Sequence, residues 1–164
     1  MTANTLEELF EHELEDIYHA EHELHEALGN LASQVEDEEI QSAFEEHREE
    51  TEEHIDRLEE VFEMIGEPPE KEECEGIQGL ITEQEEFAES DPDTEILELF
   101  NLASAQKTEH YEIAAYGNTT LLASELGYDD AADLLEENLR EEEETLDELS
   151  ELTENYDFDS VSRE

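Results

Sequence analysis

The segment QKTEHYEIAAYG, residues 106–117, places two carboxylates, an imidazole and two phenols where a helix interior is expected. Glu109 and Glu112 are one helical turn apart, on or beside the face that should be apolar. A buried carboxylate without a compensating positive charge is strongly destabilising. A divalent cation supplies that charge, so this pair predicts metal ligands.

The other long helices predicted from the sequence carry a carboxylate in the same kind of position. Their heptad-spaced stripes include Glu21, Glu50 and Glu142, and His47 and His54 flank Glu50 at −3 and +4. A shared site requires these side chains to be level along the bundle axis. Glu21 and Glu50 lie at about equal distances from the turn near residues 35 and 36, at ~1.5 Å of rise per residue.

The second predicted hairpin shows the same spacing. Glu112 precedes Gly127 by 15 residues and Glu142 follows it by 15 residues. Carboxylates that are level in both hairpins predict one site for two divalent metal ions in the bundle core. The predicted metal ligands are Glu21, His47, Glu50, His54, Glu109, Glu112 and Glu142.

Helix start and stop signals define the elements that position these residues. Thr5 with Glu8 forms a capping box that opens a helix to about residue 32, and Ser33 with Glu36 predicts a second box that opens a helix to residue 65. Residues 67–92 form a long connection with one short amphipathic helix, whose predicted apolar face is Ile77, Leu80, Ile81 and Phe87.

Two further long helices complete the predicted fold. The third has Pro92 at its first position, and the fourth spans about residues 129–154 after Gly127. No strand pattern occurs, so the sequence predicts an all-α, ferritin-like four-helix bundle in which one long crossover contains a short helix. The bundle domain is predicted at 1–155, and residues 156–164 are predicted to be a frayed tail.

The composition excludes some functions and favours one environment. The chain has 55 acidic residues and six basic ones, for a formal net charge of −49. No basic patch is available for nucleic acid, and self-repulsion of this size favours a salt-rich (halophilic) cytoplasm. No signal peptide and no membrane-spanning stretch is predicted. The single cysteine, Cys74, excludes an internal disulfide and is interpreted as packing.

Five segments carry a resemblance to a known family: LFEHELEDIYHAEHEL, EETEEHIDRLEEVFEMIG, CEGIQGLI, AQKTEHYEIAAYG and AADLLEENLREEEET. They resemble the YciF/YciE-like family of ferritin-like, stress-associated proteins over roughly residues 6–150. The resemblance implies a ferritin-like fold, a homodimer and a di-iron centre without an established reaction. Glu109 and Glu112 are also similar to the paired glutamates in the third helix of rubrerythrins.

One feature departs from the expected ligand pattern. Residues 127–155 contain no histidine, so Glu142 has no histidine partner on its own helix. This predicts a nearly all-oxygen shell for the second metal ion, and leaves manganese as an alternative to iron.

Other residues have structural interpretations. His110 is a candidate donor to a ligand carboxylate, and Tyr18 and Tyr116 are interpreted as core packing. A further set of histidines is predicted to lie on the surface: His12, His19, His22 and His25.

Two functions remain open from the sequence. The first is a cytoplasmic di-metal protein that reacts with O₂ or peroxide in stress protection. The second is a non-catalytic structural stress protein whose site is empty or holds structural cations. An acidic scaffold for a basic partner is supported by charge alone.

Overall fold

The computed structural model of the protein describes residues 3–164, and within that range the chain is helical with no strand. It contains five α-helices followed by a short 3₁₀-helix. The elements are α1 (Leu6–Gln34), α2 (Glu38–Ile65), α3 (Glu75–Glu89), α4 (Thr94–Glu125), α5 (Asp129–Glu154) and the 3₁₀-helix (Phe158–Ser160). The predicted all-α class is confirmed, and the shorter helix α3 lies between the two pairs of long helices in the chain.

The four long helices form two antiparallel hairpins that pack side by side. In addition to the contacts within the hairpins, α2 lies against α5 and α1 lies against α4. One apolar cluster joins the start of α1, the end of α2, the end of α4 and the start of α5. The connection from α2 to α4 therefore runs from one end of the bundle to the other, and its helix α3 packs on α1 and α4.

The apolar core is divided between the two ends of the bundle. The cluster at the first end includes Phe10, Leu14, Leu58, Val61 and Leu135. The cluster at the opposite end includes Leu28, Leu31, Ile40, Phe44, Leu102 and Leu149. Each such side chain contributes roughly 1.5–3 kcal/mol through burial. The two clusters enclose a polar layer at mid-height.

The helix caps confirm one predicted capping box and correct the other. Thr5 and Glu8 bond reciprocally at 3.1 and 3.2 Å, as predicted. The predicted box of Ser33 and Glu36 is wrong, because α1 continues to residue 34 and the Ser33 hydroxyl donates to the carbonyl of its own helix at Asn30. The N-cap of α2 is Asp37, whose side chain accepts from two backbone N–H groups at 2.9 and 3.1 Å.

The start of α4 also differs from the prediction, while the helix ends predicted at Gly66 and Gly127 agree with the structure. The first turn closes on the carbonyl of Asp93, which accepts from the N–H groups of residues 96 and 97. The helix starts at Thr94, so Pro92 lies before it rather than at its first position. Gly66 and Gly127 adopt left-handed backbone conformations after α2 and α4, with φ of 78° and 79°.

The C-terminal residues begin with an anchored side chain. The Tyr156 hydroxyl donates to the Glu98 carboxylate at 2.6 Å, and its ring packs against the second apolar cluster. Fraying of residues 156–164 stays a prediction. Among the helices of residues 3–164, none combines the length and apolar character needed to cross a membrane.

Candidate metal centre

Six of the seven predicted ligands come together in the polar layer between the two apolar clusters. Each of the four long helices contributes at least one of them, and their exposed fractions range from 0 to 4%. They are Glu21 on α1, His47 and His54 on α2, Glu109 and Glu112 on α4, and Glu142 on α5. In the second hairpin this placement agrees with the level positions of Glu112 and Glu142 inferred from spacing; in the first hairpin Glu21 joins the layer, whereas Glu50 does not join either group.

The six side chains form two overlapping groups that could each hold a metal ion. The first group is His47, Glu109, Glu112 and Glu142, and the second is Glu21, His54 and Glu142. Within each group the ligand atoms lie within 4.8 Å of one another. Glu142 belongs to both groups, as expected of a carboxylate between two neighbouring cations.

The polar atoms of this layer converge without hydrogen-bonding to one another in good geometry. Nine buried atoms of the six residues form no hydrogen bond of acceptable geometry: Glu21 Oε2, His47 Nδ1, His54 Nδ1, and both carboxylate oxygens of Glu109, Glu112 and Glu142. Two close contacts remain within the layer, from His47 Nε2 to Glu109 Oε1 at 2.8 Å and from His54 Nδ1 to Glu142 Oε1 at 3.0 Å. Buried polar groups in proteins are almost always paired. So many buried polar atoms without a hydrogen bond in one layer are therefore what a site for cations is expected to show.

Electrostatics in the layer are dominated by burial and by like charges. Burial, followed by the charges of neighbouring glutamates, raises the pKa of Glu112 and of Glu142 well above its usual range. Burial is the largest influence on Glu109 and opposes its ionisation, but the charge and hydrogen bond of His47, together with Glu142 and His54, outweigh it and lower the pKa of Glu109. Burial opposes the charge of His54, yet Glu21 and Glu142 raise its pKa to about 11. Protons therefore supply part of the positive charge in this layer, and a metal ion would compete with them.

The outer nitrogen of His54 is held by a carboxylate that an arginine clamps. Nε2 of His54 lies 2.9 Å from Oε2 of Glu141. Arg57 donates to both oxygens of Glu141, at 2.6 and 3.1 Å. This arrangement leaves Nδ1 of His54 facing Glu142 at 3.0 Å and Glu21 at 3.3 Å. Such outer carboxylates orient metal-binding imidazoles.

Two buried polar residues complete the surroundings of this group. The Tyr116 hydroxyl donates to Glu21, and the Asn138 amide donates to the Tyr116 hydroxyl at 3.2 Å and to the His54 carbonyl at 3.3 Å. Tyr116 is fully buried, so the packing interpretation was incomplete rather than wrong. The sequence analysis missed Asn138, although an amide one turn before Glu142 in an apolar stripe is a usable signal.

Glu50 is the predicted ligand that the structure does not bring into either group. Its side chain is 45% exposed, and Oε2 lies 3.9 Å from Nδ1 of His47, which is beyond hydrogen-bonding distance. The Thr145 hydroxyl donates to the same oxygen at 3.2 Å. Three residues after His47, Glu50 is rotated by about 60° around the helix. That rotation places it at the seam between α2 and α5.

The absence of histidine from α5 does not have the consequence predicted from it. Both histidines are on α2, seven residues apart and therefore on one face, and each enters a different group. A nearly all-oxygen shell for the second metal ion is therefore not favoured, because His54 lies beside Glu142 from the neighbouring helix and each candidate group includes one histidine.

The remaining histidines occupy varied positions. His110 is exposed and points away from the ligand layer. The four histidines predicted on the surface are all partly buried. Of these, His19 accepts from the backbone N–H of Cys74 at 3.0 Å, and His25 pairs with Glu52 at 2.8 Å. Cys74 is buried in a small apolar cluster under α3, as the packing interpretation expected.

Comparison with known proteins identifies similar chains and a family. Protein YciF of Escherichia coli K12 is 42% identical over 153 residues, covering 93% of this chain and 92% of that protein. The crystal structure of the E. coli stress protein YciF aligns with a TM-score of 0.89 and 41% identity, covering 93% of this chain and 97% of that one. The resemblance seen in the motifs is confirmed.

Two further solved structures are similar. YcfI of Rhodopseudomonas palustris, described as a candidate structural protein, has a TM-score of 0.87 at 39% identity, covering 90% of this chain and 94% of that one. A Xanthomonas campestris protein has a TM-score of 0.74 at 21% identity, covering 92% of each chain, and shows the fold alone. The model of the family described as Domain of unknown function (DUF892) matches residues 5–158, and the chain belongs to that family.

Proposed function

We propose that this protein is a ferritin-like bundle that holds two divalent metal ions, iron in the first place and manganese as the alternative, at its central polar layer. In this proposal the metal pair reacts with O₂ or peroxide and protects the cell under stress. The observation that carries the proposal is the convergence of six buried side chains from four helices, nine of whose polar atoms form no hydrogen bond of acceptable geometry.

The donor set fits such ions in charge and in chemistry. When ionised, the four carboxylates carry four negative charges, which two divalent cations neutralise. Carboxylates combined with imidazoles suit iron and manganese, and bundles with this composition hold di-iron and di-manganese pairs. Without cations, the layer would rely on protons for the same compensation, as the raised pKa values of Glu112 and His54 indicate.

The protein's own residues would hold, orient and shield the pair. Two ions held together can act as paired Lewis acids and redox centres towards O₂ or peroxide. Glu142 would bridge the two positions, and Glu141, clamped by Arg57, would fix the ring of His54. The Tyr116 hydroxyl donates a hydrogen bond to the Glu21 carboxylate. The apolar clusters above and below the layer would exclude bulk water.

The biological setting belongs to the same proposal. The description of E. coli YciF as a stress protein supports a role in stress. The acidic composition supports a salt-rich cytoplasm as the compartment. A homodimer is proposed on the family resemblance.

A second candidate is a structural stress protein without catalysis, whose layer is empty or holds structural cations. The description of YcfI from R. palustris favours it. Both candidates share the fold and the polar layer, and they differ in metal content and reactivity.

Metal analysis tests the first candidate against the second. The full-length protein is purified without added metal in molar salt, and its iron and manganese are measured by mass spectrometry. The proposal expects about two ions per chain and consumption of peroxide or O₂ by the loaded protein. Protein that takes up no transition metal when exposed to iron(II) or manganese(II) contradicts it. Full loading without any consumption supports the structural alternative.

A further inference from the structure

The candidate metal centre is closed to solvent, so any cation must pass a specific part of the bundle surface. The other members of the two groups are at most 1% exposed, whereas His47 is 4% exposed. The thinnest cover therefore lies at His47, beside the seam between α2 and α5. On its inner side, Nε2 of His47 lies 2.8 Å from the Glu109 carboxylate.

The outer side of the same imidazole has an unmatched polar atom. Nδ1 of His47 is buried and has no hydrogen-bond partner. It faces the half-exposed Glu50 carboxylate at 3.9 Å, a gap too long for a hydrogen bond and suited to an intervening cation or water. The imidazole ring thus presents one nitrogen to the centre and the other to Glu50.

An acid-lined groove at the end of the bundle comes within one helical turn of this point. The groove has a volume of about 1040 Å³, and its walls include Glu46 on α2 and Glu148 on α5. Glu46 is one helical turn from Glu50, and Glu148 is one turn from Thr145, the residue that holds Glu50. The pKa of Glu148 is raised by burial and then by the charges of Glu46 and Glu50, so the three carboxylates lie close together.

A comparison with His54, the histidine of the second group, shows how the charge around Glu50 differs. Glu141 lies outside His54 as Glu50 lies outside His47, but Arg57 neutralises Glu141 with two hydrogen bonds. Within residues 3–164, no lysine or arginine forms an ion pair with Glu50. One approach to the centre therefore carries an arginine paired with its outer carboxylate, and the other does not.

We propose that Glu50 and Nδ1 of His47 form an outer cation position, one helical turn beyond the acidic groove, through which divalent cations reach the buried centre. The groove would concentrate hydrated cations by its negative potential, and Glu50 would replace part of the hydration shell. This inference rests on the proposed function, because it describes how that centre is loaded. It assigns Glu50 to the path of the metal and not to the final ligand set.

Loading kinetics of the full-length, metal-free protein test the inference. Cobalt(II) is mixed rapidly with the protein in molar KCl, and binding is followed by the visible absorption of the bound ion. We expect Glu50→Gln to slow loading by about tenfold, within the range over which local fields change association rates. Release to a chelator should slow by the same factor, so that the dissociation constant changes by less than about twofold.

The matched control is Glu49→Gln, which removes the same charge from the exposed residue directly before Glu50 in α2. It should load at the wild-type rate. Equal slowing by both substitutions would show that only the overall charge matters and would overturn the inference, as would unchanged loading in Glu50→Gln. Loss of bound ions at equilibrium in Glu50→Gln would make Glu50 a ligand of the centre and would also overturn it. Wild-type protein that binds no cobalt contradicts the proposed function itself.

Discussion

Glu142 is the side chain on which both candidate metal groups depend. It is fully buried, it belongs to both groups, and its Oε1 lies 3.0 Å from Nδ1 of His54. In the metal-free protein its charge is opposed by burial and by the nearby carboxylates. The Glu142 carboxylate therefore favours metal binding and destabilises the metal-free protein.

Replacing Glu142 by glutamine separates these two effects. Glu142→Gln should lower the metal content from about two ions per chain towards one or none. The metal-free variant should be more stable than metal-free wild type by about 1 kcal/mol or more, because a neutral amide of the same shape removes the repulsion. Metal analysis and urea unfolding in the presence of a chelator measure the two quantities.

The control for this substitution is Glu143→Gln, one residue along α5 and exposed. It should leave the metal content unchanged and should not produce the reversal between loaded and metal-free stability. If both variants behave alike in both measurements, no shared site exists.

Tyr18 offers a test of burial outside the ligand layer. Its hydroxyl donates to Glu59 at 2.8 Å, and burial followed by the interaction with Glu59 raises its pKa to about 12. In the unfolded chain the pKa is about 10, so the folded protein retains the proton over that interval. The resulting stability is present below about pH 10 and is lost as the pH rises through about 12.

Tyr18→Phe should consequently remove part of the alkaline destabilisation. Between about pH 9.5 and about pH 11.5, wild type should lose more of its free energy of unfolding than the variant does. Urea unfolding at both pH values measures the difference, which isolates Tyr18 from the other tyrosines. Equal losses would show that the Tyr18 hydroxyl is no harder to ionise in the folded protein than in the unfolded chain.

At the level of elements, α2 places two imidazoles and α3 closes the outer side of the bundle. His47 and His54 enter different metal groups because seven residues return to the same helix face about 10 Å further along. The contact of α3 with α4 is close at one glycine. A Cβ atom added at Gly76 would lie 2.7 Å from Cε2 of Tyr111, whereas one added at Gly79 would meet no atom within 4 Å.

Two alanine substitutions on α3 should therefore differ in their effect on stability. Gly76→Ala should destabilise the protein by about 1–3 kcal/mol, since Tyr111 or the helix must move. Gly79→Ala should be neutral or stabilising by up to about 1 kcal/mol, because alanine favours the helix. Thermal unfolding in molar KCl compares them.

The thiol of Cys74 provides a second measurement of the same displacement. Cys74 is buried and lies 3.1 Å from the Tyr111 hydroxyl. A thiol reagent should label it faster in Gly76→Ala than in Gly79→Ala. Equal stability together with equal labelling would show that α3 accommodates the added methyl group without moving.

At the scale of the whole molecule, charge repulsion is the dominant feature. With a formal net charge of −49, few carboxylates can find a basic partner among six lysines and arginines. Salt shortens the range of this repulsion, since the Debye length falls from about 10 Å at 0.1 M to about 3 Å at 1 M.

The stability of the metal-free protein should therefore increase with salt. Raising KCl from about 0.1 M to about 2 M should raise the Tm by about 4 °C or more, which corresponds to 1 kcal/mol or more for a chain of this size. Calorimetry with a chelator present measures the shift without a contribution from bound metal. A Tm that stays level or falls would show that the acidic surface does not limit stability.

Local patterns in the sequence predicted the helices and most of the candidate site. The heptad stripes indicated four long helices, the glycines at 66 and 127 indicated where two of them end, and the equal spacing of Glu112 and Glu142 from Gly127 predicted that these two lie level. These features follow from the fixed rise and turn of a helix, which the chain expresses over short distances.

Tertiary packing decided the features that depend on neighbouring helices. Glu50 and His54 lie four residues apart near one face, yet one reaches the solvent seam while the other reaches Glu142 on α5. Asp37 caps α2 although Ser33 matched the pattern as well. Helical periodicity specifies a side chain's direction only to within part of a turn. Which residues at the edge of a face become buried is decided by the helix packed against it, and that contact is not encoded within a single helix.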